Sequence, residues 1–392
     1  MIEALNSRER VKLILEHKEA DRIPVDLGGR IAPIRHEAYS RLVEYLKLER
    51  NVKEIKIDPF LFVLYPDIKL LDALGIDFHH IYTRGPEYIK VREYSDGGHL
   101  NEWGITVKTV DQYAQRVTHP LSDASIDDIE KYNWPDVKSR KRHRGLRQFA
   151  RHLFNSTDFS LVADPVSAGI FEMAQHLRGS ENFYVDLMLN KDFAHTLLDK
   201  ILDIYLRLTE GFLEEVGSYV DLVALVSDDY GSNESLLVSP ELFDEFFASR
   251  YRKLIKIIKS KVNARVLWHT DGAVFNLIDR LIDMGVDILN PIQPAAKGME
   301  HSLLKETFGS RISFHGGIDS QYVLAEGTPE EINRYVKNAV SKLAPGGGYI
   351  LAASHGIQYQ VPPENIVAMY DAARKYGVYQ SFKTGTIYSY QK

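Results

Sequence analysis

Apolar runs of strand length alternate with amphipathic helical stretches along most of this chain, and that alternation sets its fold class. From residue 159 onward, strands are predicted at 160–163, 222–226, 266–268, 288–292, 312–314 and 349–352. Helices are predicted between most of them, at 171–178, 197–216, 240–259, 274–284 and 329–342. Two further strands precede these, at 21–27 and 76–82, giving about eight β/α units in series. The strands are continuous apolar runs, as parallel strands buried on both faces should be. The expected fold is therefore an α/β chain forming one (β/α)8 TIM barrel over residues 1–392. A doubly wound sheet is the runner-up, but Gly28-Gly29 is too little for the glycine-rich turn it needs.

Near the N-terminus, residues 7–15 read as an amphipathic helix with Ser7 as its cap, and 34–46 as a second helix followed by a weakly patterned link. Residues 67–74 make a further short helix. The stretch at about 87–120 breaks the alternation. Tyr88 to Tyr94 and Trp103 to Val110 are β-prone and flank Ser95-Asp96-Gly97-Gly98, which predicts a small antiparallel insertion roofing the barrel mouth after strand two.

Composition narrows the function. The net charge of −6 offers no field for nucleic acid or an anionic membrane, and no apolar run is long enough to span a bilayer. The first residues lack the basic and apolar regions of a signal peptide, so a cytoplasmic protein is expected. The chain has no cysteine, so any metal must be held by His, Asp or Glu. The oligomeric state is left open between monomer and homodimer.

In such a barrel the active site lies at the C-terminal ends of the strands. Those ends carry Asp26 and Arg30, His79 and His80, Asp164, the run Asp228-Asp229-Tyr230, His269 and Asp271, Asn290 and Gln293, His315 and Asp319, and finally His355 and Gln358. One end of nearly every strand is polar, which predicts a catalytic-type pocket. Within it, His269 and Asp271 stand two residues apart, so on an extended chain they share a side. The pair suits zinc ligation, and equally a base with its orienter. Pro345-Gly346-Gly347-Gly348 precedes the last strand and is expected to be a tight turn on the opposite face, not a phosphate cradle. The basic run at 138–147 has no interleaved aromatics and reads as a solvated helix start.

The segments DRIPVDLGGR, DALGID, HTDG, MGVDILNPIQ, GGIDSQ, GGGYILAASHGIQ and VPPENIVAM follow one another in an order that resembles the uroporphyrinogen decarboxylase superfamily, over nearly the whole chain. That superfamily holds both the decarboxylase and zinc-dependent corrinoid methyltransferases. The resemblance implies a (β/α)8 barrel. For the decarboxylase, only Arg30 matches the paired arginines after strand one, with Asp26 in place of the other. The pyrrole-stabilising aspartate falls on Asp67 and the late histidine on His355, while no tyrosine adjoins Gln175. For the methyltransferases, the zinc ligands fall on His269, Asp271 (in place of a cysteine) and His355, with Asp228 or Asp229 as a fourth ligand or general acid.

The resemblance thus implies a methyltransferase moving a methyl group between a small methylated compound and a corrinoid held by a partner protein, with zinc as Lewis acid. Arg30 would orient a substrate carboxylate, and Asn290, Gln293, Gln358 and Tyr230 would line the pocket. The alternatives are a decarboxylase without cofactor, using Asp67 and His355, and a non-catalytic tetrapyrrole- or corrinoid-binding barrel.

Overall fold

A computed structural model describes residues 5–49, 55–58, 63–85, 98–110 and 113–380. The helix Ser7–Leu15 opens the fold. Asn6, not Ser7, is its cap, accepting from the Glu9 backbone while the Glu9 side chain accepts from the Asn6 backbone. The sequence signal lay one residue earlier than expected, because Glu9 completes a reciprocal box only with Asn6.

The link after the helix His36–Tyr45 is not featureless. It holds β2 (Ile55–Asp58) and β3 (Val63–Tyr65), which join β1 (Ile34–Arg35), just before that helix, in a small antiparallel sheet of order β1-β3-β2. The main sheet begins at β4 (Phe78–Ile81). A second antiparallel sheet follows, made of β5 (His99–Leu100), β6 (Thr106–Val110) and β7 (Tyr113–Arg116). The insertion is therefore antiparallel, as expected, although Tyr88 to Tyr94 and most of the predicted turn lie outside the described residues. The rest of the main sheet comes from β8 (Ser160–Ala163), β9 (Leu222–Ser227), β10 (Arg265–His269), β11 (Ile288–Ile292), β12 (Ser313–Ile318) and β13 (Tyr349–Ala353).

These seven strands form one parallel sheet in the order β13-β12-β11-β10-β9-β8-β4. The predicted strand at 21–27 is extended chain with only isolated bridges. Val25 bridges Leu351 in parallel and Arg22 bridges Val378 antiparallel. Pro24 has no N–H to donate, which limits its ladder. The segment nonetheless bonds to both edges of the sheet: the Asp26 amide donates to Leu351 O at 3.0 Å, and the Asp77 amide donates to Val25 O at 2.9 Å. The result is a TIM-barrel-like α/β fold.

Two apolar layers hold it. The larger joins strands to the surrounding helices, among them Lys191–Val216 and Pro329–Leu343. The smaller fills the inside of the curled sheet with Phe78, Val162, Leu222, Ala224, Leu267, Ile288 and Ile350, and the first helix adds Val11 and Leu15 as a floor. On a strand, residues two apart point the same way. Above that layer therefore stand His80, Asp164, His269 and Asn290, each two residues beyond an inner apolar side chain.

The glycine turn is on the floor side, as expected. Gly346, Gly347 and Gly348 take φ of 74°, 77° and 71°, and a Cβ on Gly347 would lie 2.6 Å from Lys18 O. The basic run is not a wholly solvated helix start. It forms a turn of 3-10 helix, Arg140–His143, in which Arg142 is buried, donating to Asp136 O and paired with Glu102. Among the described residues no helix is long and apolar enough to cross a membrane.

Candidate functional site

The polar layer above the inner core is joined into one hydrogen-bonded series. His269 Nδ1 lies 2.5 Å from Asn290 Oδ1, and Asn290 Nδ2 lies 2.7 Å from His315 Nδ1. His315 Nε2 is 2.9 Å from Asp26 Oδ2, and His80 Nε2 is 3.0 Å from Asp26 Oδ1. His80 Nδ1 reaches Asp164 Oδ1 at 2.8 Å, and Asp164 also accepts from the Tyr65 hydroxyl and the Arg30 amide. Asp26, His80, Asp164, His269, Asn290 and His315 are all buried.

The partners fix the tautomers. An amide oxygen only accepts, so His269 carries its proton on Nδ1 and presents the Nε2 lone pair. An amide nitrogen only donates, so His315 accepts at Nδ1 and donates from Nε2. His80 lies between two carboxylates and donates from both nitrogens. Burial alone would lower the His80 pKa, but Asp26 and Asp164 outweigh it and hold it at about 10. Burial likewise works to raise Asp26, and the neighbouring His80 and His315 hold it well below the usual carboxylate range instead.

The His269 Nε2 side faces two carboxylates. Asp229, His269 and Asp271 each offer one ligand atom, and those atoms lie within 4.8 Å of one another. The Asp271 amide donates to Asp229 Oδ1 at 2.9 Å, and His269 Nε2 is 3.9 Å from the same oxygen. Asp271 Oδ1 is buried without a hydrogen-bond partner. Burial, then the charge of Asp229, raises the Asp271 pKa. Two carboxylates, a neutral imidazole and an unpaired buried oxygen fit a hard or borderline divalent cation such as zinc. His355 stands at the rim, 53% exposed, with Nε2 3.4 Å from Asp271 Oδ2.

Asp228 and Asp229 have separated. Asp228 is fully buried and turns from the cluster to the start of the helix Ile170–Arg178. It accepts from the amides of Phe171 at 3.1 Å and Glu172 at 2.8 Å, and from the hydroxyls of Tyr230 and Tyr251. Burial, opposed by those four donors, pushes its pKa up to about 6. Gly169 leaves it room, since a Cβ there would sit 2.0 Å from the Asp228 side chain. Glu172, in the first turn of that helix, is a site residue the sequence reading missed. Burial first, then the charges of Asp229 and Asp228, lifts its pKa well above the ordinary value. Its signal was position: the first turn after a barrel strand faces the mouth.

The other expected residues fall as follows. Gln293 accepts from the Gly272 amide at 2.9 Å and donates to Asn233 at 2.8 Å, at the edge of a cleft of about 450 Å³. Gln358 and His355 line the same cleft. Asn290 is fully buried and ties His269 to His315 instead of lining the cleft. Tyr230 is fully buried too, stacked on Phe171 at 5.1 Å with its hydroxyl on Asp228, so it belongs to the aromatic core. Arg30 sits at the Asp164 end of the series, and Asp67 caps the helix Ile68–Leu74 by accepting from the Lys69 amide. The loops carrying Asp229 and Asp271 touch backbone to backbone at Gly231 and Gly272, where a Cβ on Gly272 would lie 2.4 Å from the Gly231 carbonyl carbon.

Comparison with known proteins agrees with this architecture. The profile of the family described as Uroporphyrinogen decarboxylase (URO-D) matches residues 98–376. A uroporphyrinogen decarboxylase of Legionella pneumophila (strain Corby) is 22% identical over 379 residues, which take in 92% of this chain and 95% of that protein. One from Christiangramia forsetii is 28% identical over 192 residues, 48% of this chain and 50% of that protein. The solved structure of a methyltransferase from Methanosarcina mazei superposes with a TM-score of 0.62 at 18% identity, covering 95% of this chain and 99% of that one, a likeness of fold.

Proposed function

Because the chain belongs to the uroporphyrinogen decarboxylase family, we propose that it is a cytoplasmic methyltransferase. In this reading it moves a methyl group between a small methylated compound and a corrinoid carried by a separate protein, within a complete eight-position barrel. The observation that supports this most is the convergence of Asp229, His269 and Asp271 with a buried, unpaired Asp271 oxygen among them. These three residues would hold zinc, with His355 beside them at the rim. Bound there, zinc supplies Lewis acidity toward the substrate heteroatom from which the methyl group leaves.

The protein's own groups do the rest. Asn290 holds His269 in the tautomer whose Nε2 lone pair faces the carboxylates, as outer partners of ligating histidines do. Glu172, whose pKa burial and the nearby Asp229 raise, is the candidate for giving a proton to the leaving heteroatom, a role the sequence suggested for Asp228 or Asp229. Gln293 and Gln358 present amides to a substrate in the cleft. Asp228 keeps the Glu172 helix in place.

The relatives' name favours the second reading, a decarboxylase without cofactor. Against it, no Lys or Arg is among the described residues lining the cleft, whereas a polycarboxylate needs charge-assisted partners. Two assays on the purified protein separate the readings. Elemental analysis should find zinc, and methyl transfer to a reduced corrinoid protein should depend on it. Metal-free turnover of uroporphyrinogen, with no methyl transfer, would favour the decarboxylase.

A further inference from the structure

The cleft beside Asp271 has an unusual lining. Its side chains include five carboxamides, those of Asn233, Gln293, Gln321, Gln358 and Gln360. Serines and glycines fill the spaces between them, and only Asp271 and His355 are ionisable. Among the described residues, no Phe, Tyr, Trp, aliphatic, Lys or Arg side chain lines it. Ligand clefts of this size are mostly apolar with a few polar groups, so this one is built for a different class of guest.

Each class can be set against that lining. A carboxylate would find no Lys or Arg in the lining, and beyond the proposed metal no charge-assisted partner would offset its desolvation. An aromatic ring would lay its apolar face on amides, with only the half-exposed His355 imidazole to pack against. A quaternary ammonium takes an aromatic cage, and none is described here. A hydroxyl is both donor and acceptor, which is what the end of an amide side chain pairs with. Gln358 adds a specific demand: its Nε2 is engaged by Gly356 O at 3.1 Å, while its Oε1 is buried with no partner. A buried acceptor left unpaired is costly, so the guest should bring an O–H to it.

We propose that the cleft binds a small, neutral, multiply hydroxylated molecule, and that the methyl donor is a methyl ether of such a polyol. Only the methyl group in this statement rests on the methyltransferase reading; the polyol class follows from the lining.

Calorimetric titration of the full-length protein, with and without added zinc, tests it. The probes are the monomethyl ethers of glycerol and glucose, set against vanillate and choline. Saturable binding of at least one ether is expected, with vanillate and choline weaker by about tenfold or more, and Gln358→Leu weakening the ether by about tenfold, the scale of one lost hydrogen bond. Vanillate or choline binding as tightly as the ethers, or no saturable binding of either ether, would overturn the proposal. So would unchanged ether affinity in a folded Gln358→Leu protein, and if that variant does not fold, the wild-type ranking decides alone. Ether binding without methyl transfer to corrinoid would remove the methyltransferase reading and leave this one standing. Transfer from vanillate with no ether binding would do the reverse.

Discussion

His315 Nε2 and Asp26 Oδ2 meet at 2.9 Å although 289 residues separate them in the chain. Asp26 accepts from His80 on its other oxygen, so one carboxylate closes the polar layer between the first segment, β4 and β12. The pair Asp26–His80 makes stability depend on pH with a definite sign. His80 is raised from 6.5 to about 10, so its contribution is full below about pH 6.5 and is lost as pH rises toward 10. Asp26 is lowered, so its contribution is present above its ordinary pKa of 3.8 and is lost as pH falls below it. Urea unfolding of wild type should therefore weaken between about pH 7 and 10 more steeply than that of His80→Gln. Parallel pH curves for the two proteins would refute the charged assignment of His80.

Asn290 has no route to the cleft, yet it should govern metal affinity. Asn290→Leu frees His269 to change tautomer, and zinc affinity should fall about 10- to 100-fold, the usual cost of removing an outer partner. Competition with a chromophoric chelator measures it. Nitrogen chemical shifts of His269 should show the proton leaving Nδ1. An unchanged affinity would mean that Asn290 does not set the tautomer.

The ligand set can be ranked by deletion. Asp229→Ala, His269→Ala and Asp271→Ala should each reduce bound zinc to near zero after dialysis. His355→Ala should retain most of it, because the imidazole is half exposed and meets the cluster only through Asp271. Loss of metal in His355→Ala equal to that in His269→Ala would restore His355 as a full ligand, as the family resemblance implied.

Gly169→Ala should be costly although alanine is a small change. The added carbon would sit 2.0 Å from the Asp228 side chain, and neither the helix start nor the buried carboxylate has space to retreat. Overpacking of this kind costs about 1 to 3 kcal/mol. Thermal unfolding should show the loss, and an unchanged midpoint would mean that the two segments can move apart.

Much of this was legible beforehand, and the failures have local causes. The strands at 160–163 and 288–292 were read to the residue, because each is a short, mainly apolar segment set between helical stretches. The pairing of His269 with Asp271 followed from strand parity. Asp228 against Asp229 did not. Leu222 and Ala224 face inward, so simple alternation points Asp228 at the mouth. The ladder to β10 shifts register, however, pairing Leu267 with Ala224 and His269 with Ser227. One extra residue on β9 reverses the parity and brings Asp229 to the cluster. Such a bulge leaves no mark in a run of apolar letters. Partners such as Asp26 and His315 could be placed at the mouth but not joined, since which strand ends meet across the interior is decided by closure of the sheet.

The contact between Gly231 and Gly272 has a practical side. With no room for a side chain between them, the two loops meet backbone to backbone, which ties the chain at Asp229 to the chain at Asp271. The donor atoms can therefore be exchanged without rebuilding their support. Replacing Asp271 with cysteine would put a thiol into a chain that otherwise has none, beside the same Asp229 and His269. The barrel is in that sense a chassis on which oxygen and sulfur ligation can be compared from one backbone position.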